Sequence, residues 1–168
     1  MALIHLIRHE RPAATGVLLG ATDLPLADDV VITPSSLAIS AVYTSPLRRA
    51  RDTATGLFPG HRPMLCAELA ERDLGEWDGL PWTEVERKWP EAARAASIDW
   101  FASTPPGAER WDDFVERVGR AFALIRVERC AAVVAHAGVN AVLWELAGKG
   151  RAIQFQQQYG ETVSIELS

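Results

Sequence analysis

Three short apolar runs, each ending in basic or histidine residues and each separated from the next by far more chain than a hairpin needs, constrain the fold most. They are residues 2–7, residues 41–44 and residues 131–135, and they stop at Arg8-His9-Glu10, Ser45-Pro46-Leu47-Arg48-Arg49 and His136-Ala137-Gly138. Runs of four to six apolar residues are the length of buried strands, and connections this long call for crossover helices. The intervening sequence supplies them. Ser45 and Pro46 read as an N-cap and first helical turn, with Leu47, Ala50, Ala54 and Leu57 on one face until Pro59-Gly60. Over 108–127, Trp111, Phe114, Val115, Val118, Phe122 and Ile125 keep a helical period, and Val139, Val142, Leu143 and Leu146 form a stripe directly after the third run. Met64 and Leu65 fit a further short strand, and Thr162–Leu167 alternates like an edge strand. The expectation is an α/β protein, a three-layer α/β/α sandwich around a mostly parallel sheet.

With 168 residues and no repeat, low-complexity tract or linker, the chain is expected to be a single domain over 1–168. A net charge of −5 argues against a global field for nucleic acid. The apolar segment at the N-terminus is too short for a signal peptide, and no stretch reaches the length of a membrane span. Cys66 and Cys130 show no pairing pattern. Together these features place the protein in the cytoplasm, with no membrane or nucleic-acid partner. Of the 17 basic residues, all but Lys88 and Lys149 are arginine. Codon bias in a GC-rich genome explains such an excess; the functional alternative is that some of these planar guanidiniums clamp an anion. Residues 77–111 hold five of the six tryptophans. They read as amphipathic cover over the sheet, with a substrate-lining role for one or two as the alternative.

Open α/β sheets bind ligands beyond the carboxyl ends of their strands. Arg8, His9, Arg49 and His136 all fall there, and the segment Glu68-Leu69-Ala70-Glu71-Arg72 lies between them in sequence. Two histidines, two arginines and a carboxylate suit phosphoryl transfer. A neutral imidazole attacks phosphorus, fixed cations stabilise the equatorial oxygens, and a carboxyl group moves the proton. His9 is the candidate nucleophile and His136 a donor to the phosphoryl group. Arg49, near the start of its helix, gains from free N–H groups that favour an anion there, and Gly138 offers a similar setting. Arg8 and His9 reach one pocket only if the strand ends between or at them. Glu71 competes with Glu68 and Glu76 as proton donor, and spacing leaves the choice open. His5 and His61 read as structural. Cys66 and Arg72 have the offset of a cysteine-dependent phosphatase, but Glu68 and Glu71 between them would repel the phosphate. Walker, dinucleotide, CxxC and HExxH patterns are absent, so neither a cofactor nor a metal is expected.

The blocks Leu6-Ile7-Arg8-His9, Ser45-Pro46-Leu47-Arg48-Arg49-Ala50-Arg51-Asp52-Thr53-Ala54, Leu69-Ala70-Glu71-Arg72-Asp73-Leu74-Gly75-Glu76-Trp77-Asp78-Gly79 and Val134-Ala135-His136-Ala137-Gly138 resemble, in order, the motifs of the histidine phosphatase superfamily. The resemblance implies the phosphoglycerate-mutase-like fold and a cofactor-independent phosphomonoesterase acting through phosphohistidine. It assigns His9, His136 and Glu71 as catalytic, with Glu71 the proton donor, and Arg8, Arg49 and Ala137 as substrate-binding. Residues 20–26 and 105–109 look most like the alpha-ribazole phosphatase branch, which implies a small phosphorylated substrate such as alpha-ribazole 5'-phosphate and a place in cobalamin biosynthesis. Mutase-type phosphoryl transfer and a non-catalytic phospholigand-binding module are the alternatives, and a homodimer stays open. Three positions depart from the pattern. Glu10 stands where glycine or threonine is usual and sets a carboxylate near the phosphate unless it points away. Ala137 replaces a common glycine, and Arg110 stands in place of serine. With Arg11, Arg110 is a candidate helper cation.

Overall fold

The computed structural model describes residues 2–167. Five strands, β1 (Ala2–Arg8), β2 (Ala41–Thr44), β3 (Met64–Leu65), β4 (Cys130–Ala135) and β5 (Thr162–Leu167), form one sheet in the order β3-β2-β4-β1-β5. The first four run parallel, and β5 lies antiparallel on β1 with Ile4 opposite Ile165. The helices are α1 (Arg48–Leu57), α2 (Trp82–Lys88), α3 (Pro90–Ile98), α4 (Trp111–Ile125) and α5 (Ala137–Leu146).

Strand alternation divides the core. Ile4, Leu6, Ala131, Val133 and Ala135 face Phe114, Val118, Ala121 and Ile125 of α4 and Val139, Val142 and Leu143 of α5. Ile7, Val42, Ala132 and Val134 face Ala50 and Ala54 of α1 with Phe58. Both sides of the sheet are covered, which is why its central strands read as unbroken apolar runs. The expected three-layer α/β sandwich is therefore present, with the antiparallel strand at one edge.

The tryptophan-rich stretch forms a third cluster away from the sheet. Trp77 is fully buried at its centre, packed with Leu74, Val85, Ala93 and Ala96 and flanked by Trp82, Trp89 and Trp100. Gly75 turns the chain into this cluster with φ +56°, and any side chain there would strike the Pro106–Ala108 backbone.

The reading of Ser45 as the N-cap of α1 needs correction. The helix begins at Arg48 behind Leu47, and Asp23, from the long segment between β1 and β2, accepts the Arg48 N–H. Ser45 Oγ instead takes the Leu47 N–H at 3.2 Å and turns toward His136. A carboxylate from a distant loop displaces the local cap because it adds charge to the same helix end.

Candidate active site

The carboxyl ends of β1, β2 and β4 finish level, with Arg8 opposite Ala135 and Thr44 opposite Val134. Strand β1 ends at Arg8, so His9 leaves the sheet and both side chains reach the same side. A cavity of about 310 Å³ opens there. Arg8, His9, Glu71, His136, Ala137 and Gly138 line it, together with Arg72, Tyr159 and an apolar wall that includes Leu18, Trp100, Phe101 and Trp111.

His9 is 4% exposed. Its Nδ1 lies 2.7 Å from the Glu10 carbonyl, which can only accept, and its Nε2 lies 3.3 Å from the Arg49 Nε–H, which can only donate. These two contacts fix the neutral tautomer with the proton on Nδ1 and a lone pair on Nε2. Burial, together with Arg49 and Arg8, lowers the His9 pKa to about 3, against the opposing bond from the Glu10 carbonyl. His136, 1% exposed, sits with its ring centroid 5.0 Å from that of His9. Desolvation first, then the neighbouring His9 ring, with which it could not readily share a second positive charge, and the Arg49 charge hold its pKa well below the usual value. Ser45 Oγ is 2.8 Å from His136 Nε2, while its other hydrogen bond is received from Leu47 N–H. Donation by the hydroxyl to Nε2 leaves a single unpaired group, the N–H at Nδ1, whereas the reverse arrangement leaves two.

Arg49 is 0% exposed and lies behind His9 rather than on the cavity surface. Its Nη1 and Nη2 donate to the carbonyls of Thr22 and Gly20 at 2.7 and 2.9 Å. The N–H groups of Gly20 and Thr22 donate in turn to the two carboxylate oxygens of Asp78, at 2.8 and 2.7 Å. This short loop is thus gripped between opposite charges, and Gly20 is required because a Cβ would strike the Arg72 carbonyl. Desolvation lowers the Arg49 pKa, opposed by Glu71, Asp23 and Asp78.

Glu71 is open to the cavity on one side and enclosed elsewhere, so desolvation raises its carboxyl pKa. Its oxygens accept from the N–H groups of Arg72 at 2.9 Å and Gly138 at 3.1 Å. Of the three competing carboxylates, Glu71 alone lines the cavity; Glu68 accepts instead from the Cys66 thiol. The helix ends that the sequence reading offered to phosphate are thereby occupied by carboxylates of the chain itself, Asp23 on α1 and Glu71 on α5.

The departures resolve by direction. The Glu10 carboxylate packs against Gly160 and does not line the cavity. Arg11 pairs with Asp29 at 2.6 Å, and Arg110 borders a neighbouring cleft beside Asp112, so neither lines this cavity. Burial and Glu68 push the Cys66 thiol up, the wrong direction for a nucleophile. His5 bonds Ser164 at 2.7 Å within the sheet.

Sequence reasoning missed several residues. Tyr159 stacks 4.0 Å over the Arg8 guanidinium and 5.5 Å from the His9 ring. Its loop is tied down by Gln157, whose carbonyl accepts from Arg8 and whose amide donates to Leu6 and Glu161. Arg117 pairs with Glu109 at 2.7 Å and donates to the carbonyls of Glu68, Ala70 and Glu71, holding the proton-donor candidate's backbone. Their roles at the site carry no local signal, because the groups they hold there, Arg8 for Tyr159 and Gln157 and the Glu71 carbonyl for Arg117, lie tens of residues away. Among the described residues, no group of His, Cys, Asp and Glu is arranged to hold a metal, and no helix is long and apolar enough to cross a membrane.

Fold and cavity together define a three-layer α/β protein whose strand ends carry a cavity lined by two histidines, two arginines and a carboxylate. The chain belongs to the histidine phosphatase superfamily (branch 1), which matches residues 4–167. It is 39% identical over 84 residues to the bifunctional protein Rv2228c of Mycobacterium tuberculosis, covering 49% of this chain and 23% of that one. The chain thus spans about a quarter of that relative's length. It is 36% identical over 117 residues to phosphoglycerate mutase-like protein 4 of Arabidopsis thaliana, covering 65% and 50%. The structure is similar in fold to the alpha-ribazole phosphatase from Shigella flexneri, with a TM-score of 0.83 and 23% identity over 99% of this chain and 91% of that one.

Proposed function

We propose that this cavity hydrolyses phosphomonoesters of a small metabolite through a phosphohistidine at His9. The observation that carries the reading is the neutral His9 with its Nδ1 proton held by the Glu10 carbonyl, which leaves the Nε2 lone pair available. The setting supports it. Of five buried side-chain polar atoms without partners among the described residues, three belong to residues lining this cavity: Arg8 Nε, His136 Nδ1 and Arg72 Nη1. Unpaired buried donors concentrated at one cavity are matched by an anion.

In the first step Nε2 attacks phosphorus as the bond to the leaving oxygen breaks. The incoming phosphoryl group displaces the Arg49 N–H from Nε2, freeing that donor for a phosphoryl oxygen; Arg8 and His136 supply further donors. Protonated Glu71 gives its proton to the leaving alkoxide. In the second step the Glu71 carboxylate takes a proton from water, which attacks phosphorus, releases phosphate and restores His9. Because Glu71 begins with a raised pKa, it suits the acid role first.

The finer reading is alpha-ribazole 5'-phosphate as substrate. It is supported by the fold likeness to the Shigella enzyme and by a cavity whose wall of Trp100, Phe101 and Trp111 accepts a flat apolar body. The test is a phosphomonoester panel including that compound, run on the parent protein and on His9→Ala. Turnover with acid-labile phosphohistidine in quenched parent samples, and neither in the variant, is expected. Full activity of His9→Ala overturns the mechanism.

A further inference from the structure

We infer that Tyr159 is a positioning residue for phosphoryl binding: its ring, on the strap over 157–161 that leads into β5, holds the Arg8 guanidinium in place for the anion. This deepens the phosphomonoesterase reading and rests on it. Arg8 ends β1 on a long flexible side chain, so a fixed donor there needs partners to offset the entropy of ordering it. It lines the cavity and forms no ion pair among the described residues. The strap holds it instead. Arg8 Nη1 donates to the Gln157 carbonyl at 2.6 Å, and the guanidinium carbon lies 4.0 Å from the centre of the Tyr159 ring. Arg8 Nε is buried without a protein partner.

The strap is itself pinned. Gln157, 5% exposed, donates through Nε2 to the carbonyls of Leu6 at 2.9 Å and Glu161 at 2.8 Å, and its Oε1 accepts from Nδ2 of the buried Asn140 at 2.8 Å. Asn140 lies one turn along α5 from His136, whose carbonyl takes its backbone N–H. Gly160 turns with φ +70° and gives its N–H to the Arg8 carbonyl at 3.1 Å; a Cβ there would strike the Glu10 carboxylate. Strand β1, helix α5 and the strap are thus joined around Arg8, and the Tyr159 ring closes this arrangement from the cavity side, 5.5 Å from the His9 ring. A carbonyl and an aromatic face orient a cation without neutralising it, whereas a carboxylate in their place would compete with the phosphoryl oxygens. Because the ring acts through Arg8, its contribution follows the phosphoryl group and not the alcohol part of the ester.

The experiment measures kcat/KM for phenyl phosphate and glycerol 2-phosphate, and the inhibition constant of inorganic phosphate, in the parent protein, Tyr159→Leu and Tyr159→Phe. Loss of the ring is expected to lower both kcat/KM values about tenfold and to weaken inorganic phosphate by a like factor, the size of a partly desolvated cation–π contact. The common factor is the signature, since inorganic phosphate has no alcohol part for the ring to touch. Tyr159→Phe keeps the ring and should recover most of each value. An unchanged phosphate constant in Tyr159→Leu, a loss confined to one ester, or a Tyr159→Phe protein as impaired as Tyr159→Leu overturns the assignment. If no ester is turned over, the hydrolytic reading fails, and calorimetric binding of inorganic phosphate to the same proteins still decides the role of the ring: equal affinity in the parent and Tyr159→Leu, or no binding by the parent, rejects it.

Discussion

Replacing Gly138 by alanine tests the candidate proton donor through a single methyl group. Gly138 is the second residue of α5 and lies outside the left-handed region, so its backbone accepts alanine without strain. A Cβ at this position would lie 2.5 Å from Glu71 Oε1 and 3.2 Å from its carboxyl carbon, where ordinary contact begins at 3.4 Å. The carboxyl group must therefore retreat by roughly 0.9 Å, the difference between those contacts. It cannot do so and keep both bonds, from Gly138 N–H at 3.1 Å and Arg72 N–H at 2.9 Å. A misplacement of about 1 Å costs on the order of 100-fold in rate, equivalent to about 2.7 kcal/mol. Stability should barely change, since alanine gains up to about 1 kcal/mol of helix propensity over glycine while one hydrogen bond worth about the same is lost. The assay is kcat/KM, which reports steps through phosphorylation of His9, measured with phenyl phosphate and with 2,4-dinitrophenyl phosphate. If Glu71 protonates the leaving group, the loss should be large for the poor leaving group and small for the good one, as in Glu71→Gln. Full activity of a folded Gly138→Ala protein, or equal losses with both esters, would refute the assignment of Glu71 as the acid.

Three further outcomes follow from the same geometry. Arg117→Leu strands the Glu109 carboxylate and releases the carbonyls of Glu68, Ala70 and Glu71, so urea unfolding should show a loss of about 3 kcal/mol; a change under 0.5 contradicts the pairing. Asp78→Asn removes the charge that holds Gly20 and Thr22 against Arg49, so KM should rise several-fold with a smaller effect on kcat, whereas an unchanged KM would mean that the loop stays in place unaided. Acid should destabilise the fold. His9 falls to about 3 and His136 lies well below its usual value, so the unfolded chain binds more protons, and stability present above pH 6.5 is lost as pH falls from there toward 3. The slope is up to about 1.4 kcal/mol per pH unit for each histidine, partly offset by Glu71, whose raised pKa favours the folded state as it protonates. Denaturant midpoints that stay flat between pH 7 and 5 would show that the histidines are not held neutral.

The strands and helices α1, α4 and α5 were legible in the residues, as was the placement of Arg8, His9, Arg49 and His136 beyond the strand ends, whereas α2 and α3 were not. Strand length, helical period and the residue at which each strand stops are local properties, written within a few positions. Composition was silent about the site: the net charge of −5 gives no hint of Arg8, Arg49 and Arg72 gathered around one cavity. Which carboxylate faces that cavity depends on long-range packing, because Glu68, Glu71 and Glu76 lie within one short segment and Glu71 alone is held against Gly138 on α5. Such packing turned Glu10 toward Gly160, sent Asp23 to cap α1, and set Tyr159 and Arg72 in the wall. Each of those outcomes depends on a partner from another part of the chain, and periodicity carries no information about which distant groups a folded core will bring within a hydrogen bond of one another.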